Sequence, residues 1–119
     1  MKEEPEDLRV RTKRFALDIT QAYTRLPKVD AVRVLANQLL RSGTSPGAHY
    51  REACRARSDA EFISKMEGAL QELDESSYWI ELLVESKLVA FPQAVALLNE
   101  IDELIRILVT MVRNTKERD

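Results

Sequence analysis

Apolar residues recur along this chain at helical spacing in four stretches. In the first, from about residue 6 to residue 25, Leu8, Phe15, Ile19, Ala22 and Leu26 share one narrow stripe when successive residues are set 100° apart. Pro27 ends it, because the residue before a proline is pushed out of helical geometry. The second is predicted over 30–57, with Asp30 as its N-cap and Val32, Leu35, Ala36 and Leu39 as its apolar arc. Within it, SGTSPG (Ser42 to Gly47) has the composition of a loop. Yet Tyr50, Ala53 and Cys54 return to the same arc, and Tyr50 follows Val32 by 18 residues, which is five whole turns. Retained phase predicts one long helix kinked near Pro46, with small residues that let a neighbouring helix approach closely.

The third stretch, predicted over 59–87, opens on a capping box, Ser58-Asp59-Ala60-Glu61. Phe62, Ile63, Met66, Ala69, Leu70, Leu73, Ile80, Val84 and Leu88 form its expected core face. The fourth, predicted over 92–115, begins at Pro92, a residue suited to a first helical turn. Leu97, Leu98, Ile101, Leu104, Ile105, Leu108 and Val112 line its stripe, and Lys116 and Arg118 place cations near its end. Four amphipathic helices with short connections imply an all-α, antiparallel, up-down-up-down four-helix bundle. The 119 residues suit one such domain, with 1–7 (MKEEPED) expected to be a flexible acidic tail.

Composition adds limits. Three glycines and four prolines leave little material for the turns of an all-β fold. No run of 18 apolar residues suggests a membrane span, and the start lacks a hydrophobic signal core. Cys54 is the only cysteine, which points to a reduced, cytoplasmic setting.

Net charge is −2, but it is unevenly placed: residues 8–57 carry +8 and residues 58–119 carry −7. Two readings of this asymmetry stand open. A basic hairpin packs beside an acidic one, or a basic face meets a polyanion. Arg33, Arg41, Arg51 and Arg55 form a row beside the apolar arc of the second helix, suited either to internal ion pairs or to phosphate contacts. Trp79, Leu82 and Leu83 lie off the main arc of the third helix and predict an oligomer interface. Burying the tryptophan alone would contribute about 4–6 kcal/mol.

Catalytic chemistry is sparse. His49 is the only histidine, and it sits about 140° from Cys54 on a helix. No CxxC, HExxH, GxSxG or GxxxxGK pattern occurs, and one histidine cannot furnish the paired Glu-x-x-His motifs of a di-iron bundle. The inventory therefore predicts no enzyme, no metal and no cofactor.

The run QLLRSGTSPGAHYREACRARSDAEFISK (Gln38 to Lys65), followed by ALQELDESSYWIELLVES (Ala69 to Ser86), resembles the four-helix-bundle family called 23S ribosomal RNA intervening-sequence proteins. RSGTS-x-GA-x-YREA and YW-x-ELL carry most of the likeness. Pro46 stands where that family usually has an aliphatic residue, and His49 where it has asparagine. The resemblance implies a left-turning bundle, a homopentameric ring, a bacterial setting and no enzymatic activity. Relatives include reading frames within ribosomal RNA insertions and a nucleic-acid-binding accessory protein of retroelements. The leading expectation is a non-catalytic, ring-forming bundle that binds RNA or DNA through helix two. Its rival is a structural or protein-interaction module.

Overall fold

The structure, a computed structural model, describes residues 5–118, with side chains from Leu8 onward. The helices are α1 (Pro5–Arg25), α2 (Asp30–Cys54), α3 (Asp59–Glu85) and α4 (Ala94–Arg118), and no strand occurs among the described residues. Most of the expected tail over 1–7 lies outside that description.

Each helix buries a stripe whose members alternate at spacings of three and four. On α3 they are Met66, Ala69, Leu73, Ser76, Ile80 and Leu83. This 3.5-residue period suits helices packed side by side at shallow angles. It also corrects the sequence reading. A wheel drawn at 3.6 residues per turn drifts ~20° per heptad against that seam. By the end of α3 the drift had moved Val84 and Leu88 into the expected core and Leu83 out of it. In the structure Leu83 is fully buried, whereas Val84 and Leu88 are exposed, the latter beyond the helix end.

Polar residues hide in the seam by bonding to their own helices. Thr12 Oγ1 donates to the Leu8 carbonyl at 2.7 Å, Ser76 Oγ to Glu72 at 2.9 Å and Thr115 Oγ1 to Met111 at 2.9 Å. Ser42 and Ser76, both fully buried, join α2 to α3 hydroxyl to hydroxyl at 2.8 Å. A buried hydroxyl with a partner avoids the desolvation penalty of an unmet one.

Helix α2 runs unbroken through Pro46, which sits inside it and is buried. Proline cannot donate to the Ser42 carbonyl four residues back. Around it, Thr44 Oγ1 and Ser45 Oγ bond to the carbonyls of Leu40 and Arg41 at 2.8 and 2.6 Å. These side chains, loop formers in isolation, here satisfy helical carbonyls.

Several ends differ from expectation. Asp30 does not cap α2: the N-cap is Val29, no side chain bonds there, and Asp30 has φ 47°. α2 stops at Cys54 rather than 57, and α3 stops at Glu85, where Lys87 turns left-handed at φ 59°. α4 starts at Ala94, after a turn in which the Ala94 amide bonds to the Phe91 carbonyl. The capping box is present in altered form. Ser58 Oγ accepts from the Glu61 amide at 3.0 Å, and Glu61 Oε1 accepts from the Arg57 amide at 2.9 Å rather than from Ser58.

Contacts are richest between α2 and α3, then α1–α2 and α3–α4, and slightest between α1 and α4. Paired residues rise in number on one helix as they fall on the next: Ser42 meets Ser76 while His49 meets Gly68, and Lys116 meets Glu67 while Arg118 meets Asp59.

Candidate nucleic-acid interface

The helical stripe that buries Val32, Ala36, Leu39, Tyr50 and Ala53 leaves Arg33, Arg41, Arg51 and Arg55 exposed. Their environments then diverge. Arg41 reaches across to α3, where Nη1 lies 3.3 Å from Glu72 Oε1 and Nη2 bonds to Glu75 Oε1. That pairing takes Arg41 out of the open row and fits the packing of a basic hairpin beside an acidic one. Arg11 does the same from α1, its fork bonding to Glu100 at 2.9 Å and Glu103 at 2.7 Å on α4. The bond to Glu100, opposed by burial and aided by Glu103, raises the Arg11 pKa further above its ordinary value. Arg33, Arg51 and Arg55 make no ion pair among the described residues.

Arg33 is isolated, since 18 residues of helix, about 27 Å, separate it from Arg51. The open positive charge gathers instead at the end of α2. There Arg51 and Arg55 stand exposed on the last turn of α2 and just past its end, and Arg57 lines a cleft of about 1130 Å³ that the helix wheel could not reveal, because residues of all four helices build it. Arg9 of α1, Arg57 of the α2–α3 connection, and Arg106 and Arg118 of α4 stand around it. Tyr50, Ala53, Phe62, Ile107 and Met111 supply its apolar lining. Arg118 pairs with Asp59 at 3.0 Å and Arg106 approaches Asp102 at 3.9 Å; both pairs are well exposed and hold their cations weakly. Arg9 and Arg57 have no side-chain ion pair among the described residues. Burial, and then a hydrogen bond from its hydroxyl to Cys54, push the Tyr50 pKa well above the ordinary phenol value.

The predicted oligomer surface is only partly assembled. Leu83 is 0% exposed within a single subunit, so it has no surface left for a partner and belongs to the core. Trp79 and Leu82 are half-buried. The Trp79 indole packs on the core, donates to Glu75 Oε1 at 3.2 Å and meets Tyr78 edge-on at 5.1 Å. Glu75 thus accepts from both Arg41 and Trp79, joining two residues that the sequence assigned to separate sites. Tyr78, Val84 and Leu88 add exposed apolar surface to this end of α3.

No three His, Cys, Asp or Glu side chains group as metal ligands among the described residues. No helix there is long and apolar enough to cross a membrane. His49 packs its ring on Gly68, and its Nδ1 is buried without a hydrogen bond, 3.7 Å from Glu52 Oε1.

Residues 6–110 match the family model described as 23S rRNA-intervening sequence protein. A crystal structure from Bacteroides thetaiotaomicron, described as a protein with unknown function from the S23 ribosomal protein family, is 33% identical and superposes with a TM-score of 0.81. The likeness covers 92% of this chain and 97% of that one. No curated protein matches the chain. The chain belongs to the family of 23S rRNA-intervening sequence proteins.

Proposed function

We propose that this chain is a non-catalytic, homo-oligomeric bundle, a pentamer by its family resemblance, that binds RNA or DNA through the arginines at the end of α2. The observation that carries this is that Arg51 and Arg55, one turn apart at the end of α2, and Arg57 just beyond them are all exposed and without carboxylate partners among the described residues, and that Arg57 lines a cleft together with Arg9, Arg106 and Arg118. Guanidinium groups in such a cluster suit phosphate oxygens, which they can grip in bidentate fashion. Repetition around an oligomer multiplies modest contacts through effective concentration. The name of the family, which refers to 23S rRNA, supports a nucleic-acid setting. The protein-interaction reading draws on a different observation, the internal neutralisation of Arg11 and Arg41.

Anisotropy of a labelled 20-nucleotide duplex, read against potassium chloride, separates the two. Phosphate contacts make log affinity fall linearly with log salt, with a slope of about −0.9 per contact. The combined variant Arg51→Ala, Arg55→Ala and Arg57→Ala should flatten that slope by roughly two to three units per subunit engaged, while light scattering shows an unchanged mass. Absence of salt-sensitive binding by the wild type at low ionic strength would leave the protein-interaction reading in place.

A further inference from the structure

We infer that the cleft at the α2–α3 end receives one unpaired base of a single strand, with the flanking phosphates held by its arginine rim. This rests on the nucleic-acid reading above and adds a preference that a basic row alone would not give. A row of guanidinium groups on a helix face grips any phosphate backbone, paired or not. The cleft offers something different, which is an apolar and aromatic lining between cations.

Its volume, about 1130 Å³, exceeds the ~300–1,000 Å³ of small-molecule pockets, so it has the room of a broad groove for a base and its flanking backbone. The lining combines the rings of Tyr50 and Phe62 with Ile107 and Met111. Aromatic rings beside cations are the elements with which proteins hold successive nucleotides of single strands. Phe62 is half-buried, so part of its ring remains available, whereas Tyr50 is 1% exposed and forms the floor. Asn114, exposed at the cleft, carries both a donor and an acceptor for a base edge. A base within a duplex is stacked on both faces and paired, so it could reach this floor only by leaving the helix.

Among the described residues, Arg9 is the α1 side chain that lines the cleft, which it shares with Thr110, Asn114 and Arg118 on the last turns of α4.

The test uses three probes on the full-length protein at one low ionic strength: a 12-nucleotide uridine strand, the same strand with abasic sugars, and a 12-base-pair duplex. Base stacking on an aromatic site strengthens binding by roughly fivefold or more per base. The uridine strand should therefore bind at least that much more tightly than the abasic one. Phe62→Leu, close in volume but without a ring, should bring the two strands to equal affinity and leave abasic binding unchanged. Should that variant fail to fold by circular dichroism, Thr110→Ile, an exposed substitution that fills the cleft, carries the same readout. Equal binding of uridine and abasic strands by the wild type overturns the cleft assignment while the basic surface stands. A preference that survives both substitutions overturns it as well. If none of the three probes shows salt-sensitive binding, the nucleic-acid reading itself fails, and the base pocket with it.

Discussion

Gly43 of α2 lies directly against Ile19 of α1, so closely that a Cβ on the glycine would stand 2.7 Å from Ile19 Cγ1 and 2.9 Å from Cγ2. Both residues are buried, and Ile19 is branched at Cβ, which leaves it few rotamers in a helix. The methyl has nowhere to go unless the helices separate. Gly43→Ala should therefore destabilise the subunit by about 1–3 kcal/mol in urea unfolding, despite the better helix propensity of alanine. Ile19→Ala, which removes both clashing γ carbons, should cost less in the Gly43→Ala background than alone. Additive losses in the double variant would show that the two sites do not couple.

Arg11 ties α1 to α4, the pair that touches least elsewhere. Its side chain is 18% exposed and Glu100 is 29% exposed, so screening is partial. Arg11→Ala should cost about 1–2 kcal/mol by chemical denaturation. Arg11→Lys keeps the charge but loses the planar fork that spans both carboxylates, and should recover only part of the stability.

Tyr50 predicts a specific alkaline weakness. Burial and its bond to Cys54 raise the folded-state pKa above the unfolded value of about 10, so the folded protein holds this proton more tightly. The stabilisation is fully present below about pH 10 and is lost as pH rises above it, by up to ~1.4 kcal/mol per pH unit. Urea midpoints measured between pH 8 and 11 should fall more steeply for the wild type than for Tyr50→Phe. Parallel curves would remove Tyr50 as the cause.

Trp79 and Leu83, placed together by the sequence, should now part company. Trp79→Glu should give a helical but smaller particle in light scattering, since the half-buried ring meets exposed Tyr78 and the same end of α3 also exposes Val84. Leu83→Ala should instead destabilise the subunit itself, by about 2–5 kcal/mol, through a cavity in the seam. An unchanged mass for Trp79→Glu would remove this surface from the interface.

The helices were legible because apolar spacing survives interruption: Tyr50 and Ala53 kept the phase of Val32 and Ala36 across Pro46. Individual seam positions were harder. Thr12, Ser42, Ser76 and Thr115 are polar in composition but buried in fact, because each bonds within or between helices. The site was legible as residue types rather than as a place. Arg41 and Arg51 look alike on a wheel; only the approach of Glu72 and Glu75 from α3 separates them. The cleft gathers Arg9, Tyr50, Phe62 and Arg118 from across the chain, and no periodicity within one helix brings such residues together.

The thin seam between α1 and α4 has a consequence for how the molecule assembles and breathes. All the richer contacts join sequence neighbours, so contact order is low and packing can accumulate hairpin by hairpin. Joining α1 to α4 instead closes a loop of almost the whole chain, at an entropy that no local contact offsets in advance. That seam is expected to form last and open first. Amide exchange in α1 and α4 should accordingly report lower opening free energies than in α2 and α3, with α4, the more lightly packed of the two, released first.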